Sequence, residues 1–199
     1  MYITAEQIAR FSARYGLPRV IELEWPIGVD ELAMVRASRK HGRRHDFTVF
    51  ALDGERVVVI RKPFHPPGVY RAPSGGIKPG ESIVAGTQRE MHEETGLWVE
   101  IDRYILRVET RFTAGIEAED WVSHVVTAHA VGGRLEPIDT EEIAEAQVVT
   151  LDELQGPIRA ALLASGRGLL AYRVKLTDEV VAILRAGPAS EGGSGGDRA

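Results

Sequence analysis

Apolar residues at Ile8, Phe11 and Tyr15 recur three or four positions apart, which lines one face of a helix. Thr4 and Gln7 precede them as a capping box and Gly16 follows, so a helix of about three turns opens the chain. After Pro18, Val20 to Trp25 alternate as a strand does, and a second helix is expected from an N-cap at Asp30 to about Lys40. Phe47 to Leu52 and Val57 to Ile60 are β-rich runs joined by a tight turn at Asp53-Gly54. Pro and Gly dominate Pro63 to Gly80, which is loop with one short strand. Ser82 to Thr95 returns to helical spacing and ends at Gly96. Strands are expected at Trp98 to Val108, Trp121 to Ala130 and Ala146 to Thr150, with Gly132-Gly133 as a turn. Asp152 to Ala164 and Leu176 to Arg185 read as helices. Gly187 to Ala199, rich in Gly and Ser without apolar content, is expected to be disordered. No internal repeat is visible. The order predicts an α+β fold or an α/β/α sandwich around a mixed sheet. The division is an N-terminal extension over 1–45, a main domain over 46–186 and a tail over 187–199.

Composition narrows the class. The 199 residues suffice for one compact domain with an element or two besides, and 44% hydrophobic with 27% charged residues is the balance of a soluble protein. Cysteine is absent, which excludes a disulfide framework, a zinc–thiolate site and a thiol nucleophile. That fits a reducing cytoplasm, the expected location. Met1 to Arg10 lacks a signal-peptide pattern, and no apolar run approaches membrane-spanning length. A net charge of −5 argues against nucleic acid as a partner. The run Arg36, Arg39, Lys40, His41, Arg43, Arg44 is locally basic, either a solvated helix end or a contact for an anion.

The chemistry is concentrated between Gly75 and Leu97, which read GGIKPGESIVAGTQREMHEETGL. On a helix, Glu90, Glu93 and Glu94 share one side, because residues three and four apart are neighbours. Such carboxylates repel unless something positive sits among them, and a hard divalent cation with oxygen ligands, magnesium above all, answers that need. Arg89 adds a fork that can hold a neighbouring carboxylate. Glu81, at the helix start, favours the macrodipole and is placed to bridge to Arg89. Gly75-Gly76 lets the backbone turn sharply beside the site.

The segment resembles the Nudix box, G-x5-E-x7-R-E-U-x-E-E-x-G-U with U apolar, at every defined position. Lys78 and Gln88 depart from common usage at undefined positions, and small Gly86 and Thr87 allow the helix to pack closely. The resemblance implies a Nudix-type α/β/α sandwich with a mixed β-sheet, here carrying an N-terminal helix/strand extension and C-terminal helices. It implies hydrolysis of a P–O–P bridge with Mg2+, Mn2+ substituting. Metal ligands map onto Glu90 and Glu94, with Glu93 close by and the backbone carbonyl of Ser74. Glu93, Glu142 and Arg89 are the implied catalytic residues: Glu142 is the first candidate for the general base and Glu141 the second, with Glu117, Glu119 and Asp120 as a rival acidic loop. Arg61, Lys62 and Arg71 are candidates for phosphate, and Trp121 and Tyr70 for base stacking, with packing the plainer role; His92 and His124 are assigned none. The expected substrate is a nucleoside diphosphate derivative, such as a nucleotide sugar or ADP-ribose, or a nucleoside triphosphate. The first 45 residues are read as a recognition or homodimerisation element. Two other readings share the fold: a ligand-sensing domain without catalysis, opposed by the intact box, and a diphosphate-ester isomerase, opposed by the missing cysteine.

Overall fold

The computed structural model describes residues 3–39 and 42–186. The expected helix end at Lys40 and the expected disorder from Gly187 fall outside them. In chain order the elements are α1 (Ala5–Tyr15), β1 (Arg19–Pro26), α2 (Val29–Ser38), β2 (His45–Asp53), β3 (Arg56–Arg61), β4 (Ser74–Gly75) and α3 (Ile83–Thr95). Then come β5 (Leu97–Ala114), β6 (Glu117–Gly133), β7 (Glu145–Thr150), α4 (Leu151–Glu153), a π-helical turn (Leu154–Ile158), α5 (Arg159–Ala164) and α6 (Gly168–Ala186).

The strands form one mixed sheet in the order β1-β5-β6-β2-β3-β7, with β4 paired to β2. β1 lies parallel to β5 and β2 parallel to β6, while the β5–β6, β2–β3 and β3–β7 pairs are antiparallel. Strand alternation divides the core in two. Phe47, Val49, Ala51 and Val58 pack with Phe11 of α1 and with Ile83 and Met91 of α3. Phe50, Val57 and Val59 face the other way, against Leu32 and Val35 of α2, Leu162 of α5 and Leu170 and Val180 of α6. Helices therefore cover both faces, as in the expected sandwich.

The helices with local caps stand where the spacing puts them. Thr4 and Gln7 bond each other's backbone amides at 3.1 and 2.8 Å, and Ser82 caps α3 while Gly96 closes it with φ of 75°. Five expectations are corrected. Asp30 is not the N-cap of α2: Gly28 is, because the Glu31 carboxylate reaches back to the Gly28 amide at 2.9 Å. Gly132-Gly133 is not a turn but the end of β6, paired with Trp98 and Leu97. The turn falls at Gly115-Ile116, so Glu117, Glu119 and Asp120 belong to β6 rather than a loop. The helix expected from Asp152 is interrupted by a π-helical turn containing Pro157, which has no amide hydrogen to continue an α-helical ladder. Finally, α6 begins eight residues before Leu176, at Gly168, where the amides of Gly168 and Leu169 donate to Glu31 at 3.0 and 2.9 Å.

Candidate active site

Ile83, Thr87, Met91, Glu94 and Thr95 form the buried stripe of α3. Helical spacing thus forces a carboxylate, Glu94, into the interface with the sheet, at a desolvation cost that needs compensation. Its Oε2 accepts from the Ser74 amide at 2.9 Å. Its Oε1 faces Arg71 Nη2 at 3.8 Å and Lys62 Nζ at 3.9 Å, too far for hydrogen bonds. Burial pushes the Glu94 carboxyl up to about 7, against the opposing pull of Arg71 and Lys62. Burial also raises Glu90, against the lowering effect of Arg89.

Arg89 organises the remaining acids. Its Nε and Nη2 clasp Glu81 at 2.7 and 3.0 Å, and its Nη1 donates to Glu90 at 3.0 Å and Glu93 at 2.8 Å. Nη2 also donates to the Gly76 carbonyl at 2.9 Å, tying helix to loop. The hydrogen bonds from Arg89 hold the Glu81 carboxyl below its ordinary value. Glu93 is the more open acid, with Lys78 Nζ 3.9 Å away.

Glu90 and Glu94 line one small cavity with Ser74, Gly75, Thr87 and Phe47. Glu90 Oε1 is held by Arg89 and by the Gly76 amide at 3.2 Å, while Oε2 lies against Gly75, where a Cβ would stand only 2.1 Å away. The buried Thr87 hydroxyl on the same wall has no hydrogen-bond partner. Among the described residues no three carboxylate or imidazole side chains converge as a ready-made metal cage. Two desolvated carboxylates, each with one oxygen fixed by an amide and the other without a hydrogen bond, fit a hard cation that keeps water or phosphate oxygens in its shell.

A family model, the NUDIX domain, matches residues 42–168. The chain belongs to the NUDIX family. The NAD-capped RNA hydrolase NudC of Stutzerimonas stutzeri (strain A1501) is 30% identical over 108 residues, 53% of this chain and 36% of that protein. The chain therefore matches just over a third of that relative's length. Among solved structures, the E. coli ORF135 protein superposes with a TM-score of 0.51 at 17% identity, over 73% of this chain and 94% of that one. A NUDIX hydrolase from Nitrosomonas europaea gives 0.49 at 18% identity, over 72% and 89%.

Around the Nudix box, the structure sorts the other candidates. Lys62 stands between Glu94 and Glu142, whose carboxylate it holds at 2.7 Å, so Glu142 is tied to the rim of the cavity. Arg71 is buried and donates to the Ser74 hydroxyl at 2.8 Å and the Ala72 carbonyl at 2.9 Å. Arg61 is drawn to Glu145 at 3.3 Å, and Tyr70 donates to the same carboxylate at 2.7 Å. Glu141 is exposed. Glu119 is bound by Arg36 and Arg39, Glu117 by Arg36, and Asp120 faces Arg111 at 3.2 Å. Trp121 and Tyr70 are buried, in the packing role. His92 stacks on Trp98 at 3.8 Å, and His124 bonds Tyr104 at 2.6 Å. Sequence reasoning missed Thr87 as a cavity wall, although helical spacing sets it three residues before Glu90 and seven before Glu94, and missed Arg43 as a neighbour of Gly76, which no spacing signals.

Proposed function

We propose that this Nudix chain is a divalent-cation-dependent hydrolase that cleaves the diphosphate linkage of a nucleoside diphosphate derivative, such as a nucleotide sugar or ADP-ribose, or of a nucleoside triphosphate. The observation that carries the reading is the pair Glu90 and Glu94 on one cavity wall, each with one oxygen held by a backbone amide and the other without a hydrogen bond. Magnesium, or manganese in its place, would be held by Glu90 and Glu94, with Glu93 and the Ser74 carbonyl as further ligands, and would neutralise phosphate charge and lower the pKa of water. Arg71 and Lys62 attract the phosphates to the Glu94 side, and Arg61 steadies the loop through Glu145. Arg89 holds Glu81, Glu90 and Glu93 in register. Glu142 takes the proton of the attacking water as a phosphorus–oxygen bond of the bridge breaks, yielding two phosphate products. The setting is cytoplasmic, and residues 1–45 supply recognition or a homodimer contact.

The test is a panel of UDP-glucose, ADP-ribose, NAD and ATP with Mg2+, scored for phosphate products. NAD enters because the curated relative is named for an NAD-capped substrate. Turnover of at least one compound, abolished by chelator and by Glu94→Gln, is expected. Undiminished hydrolysis in excess chelator would sink the mechanism. Tight binding without turnover would favour the sensing reading instead.

A further inference from the structure

The basic run before β2 is not one patch. Arg36 and Arg39 are neutralised by Glu117 and Glu119. Arg43 is placed differently. Its Nε donates to the Ser38 carbonyl at 3.1 Å, and its guanidinium carbon sits 5.8 Å over the Trp121 ring. Trp121 is itself pinned: its Nε1 donates at 3.0 Å to buried Asp46, which also accepts from Ser123 at 2.7 Å and Arg173 at 3.1 Å. An Arg43 terminal nitrogen lies 1.5 Å from where a Cβ on Gly76 would stand, so only glycine admits the guanidinium there. The box pattern leaves position 76 undefined, and the glycine found there leaves room for the Arg43 guanidinium.

Ordering a long side chain costs rotamer freedom, and among the described residues no carboxylate pairs with Arg43 in return. A pre-ordered guanidinium without a neutralising partner is a ready fork for phosphate oxygens. Its position is specific. Gly76 donates to Glu90 and accepts from Arg89, so Arg43 stands at the Glu90 end of the Ser74–Gly76 segment. Arg71, bonded to Ser74, and Lys62 stand at the Glu94 end. We propose that Arg43 is a phosphate-binding residue of this site, so that a diphosphate is gripped between Arg43 at one end of the segment and Arg71 with Lys62 at the other. The inference rests on the hydrolase reading above, and the substrate class it implies is one with two adjacent phosphates.

The test uses the full chain with Mg2+ and the uncleavable analogue α,β-methylene-ADP, its affinity read by calorimetry beside the kinetics of the best panel substrate. Arg43→Ala is expected to weaken analogue binding and raise KM at least about tenfold, with kcat within threefold. Arg43→Lys, which keeps the charge and loses the fork, falls between, and Arg44→Ala, an exposed neighbour, matches the parent. Gly76→Ala displaces the guanidinium without removing it and is expected to weaken binding in the same direction. Thermal unfolding of each variant separates lost binding from lost folding, and Arg43→Lys serves if the alanine variant does not fold. A parent that turns over a panel substrate while Arg43→Ala leaves its KM and analogue affinity unchanged overturns the assignment and leaves the hydrolase reading standing. A parent that neither cleaves any panel member nor binds the analogue overturns both.

Discussion

Glu142 and Glu119 look alike in the sequence, each in an acidic cluster, and their partners separate them. Glu119 is held by two arginines of the α2 end, whereas among the described residues Glu142 pairs with Lys62 alone, which also faces Glu94. Glu142→Gln is therefore expected to lower kcat about a hundredfold with little change in KM, the scale of a lost general base. Glu119→Gln is expected to leave kcat alone and loosen α2. Steady-state kinetics on the panel substrate decides, and the reverse pattern would place the base on β6. A second residue-scale prediction concerns acid. Burial holds the imidazoles of His45 and His124 down to about 4 and about 3, from an ordinary 6.5. Below 6.5 the unfolded chain takes up protons that the folded chain refuses, so this stability is complete above 6.5 and is lost as pH falls toward those values. The urea midpoint should drop across that window. His124→Gln, able to accept from Tyr104 without titrating, should flatten the drop; an unchanged slope would show that other groups cause it.

At the scale of elements, what could be read in advance is what is satisfied locally. The capping box of α1, Ser82 and Gly96 around α3, and the Arg89–Glu81 clasp all involve residues within one or two turns or one loop of each other. The box acids could be placed on one helix face for the same reason. The start of α6 could not, because its first amides are satisfied by a carboxylate 137 positions away. Nor could the length of β5 and β6, whose pairing continues through three register shifts to a two-residue turn. Which acid the cavity buries depended on how α3 meets the sheet, and the Arg43–Gly76 contact on a crossing of two distant loops. Glu31, 3% exposed, accepts amides from both α2 and α6. Glu31→Gln puts an amide group against those donors and is expected to cost roughly 1–3 kcal/mol, the penalty of a buried unsatisfied donor. Urea unfolding measures it, and an unmoved midpoint would mean that solvent reaches the clamp.

For the whole molecule, the proposed division at residue 45 meets a sheet that crosses it. β1 pairs with β5 along eight residues, Phe11 packs on Phe47 and Tyr104, and Trp25 donates to the Gly168 carbonyl at 3.0 Å. Deleting residues 1–44 would bare one edge of β5 and part of both core faces. The truncated chain is expected to be insoluble or to lose its cooperative thermal transition, checked by calorimetry. A truncation that stays monomeric and cooperatively folded would show that the later residues form a unit without the first ones.

The Glu31 clamp also sets an order of events. A ribosome releases Glu31 and β1 early, but β5 follows some eighty residues later and the amides of Gly168 and Leu169 later still. Over that interval the nascent chain carries an unpaired strand and a helix whose acid has the Gly28 amide but not yet those of α6, with the apolar surface around it exposed in the way that chaperones engage. Parallel pairings that wait on distant partners form slowly. The segment that finishes this protein is thus not the box but α6, and a chain stalled before residue 168 would hold every acid of the cavity in a body that cannot yet close.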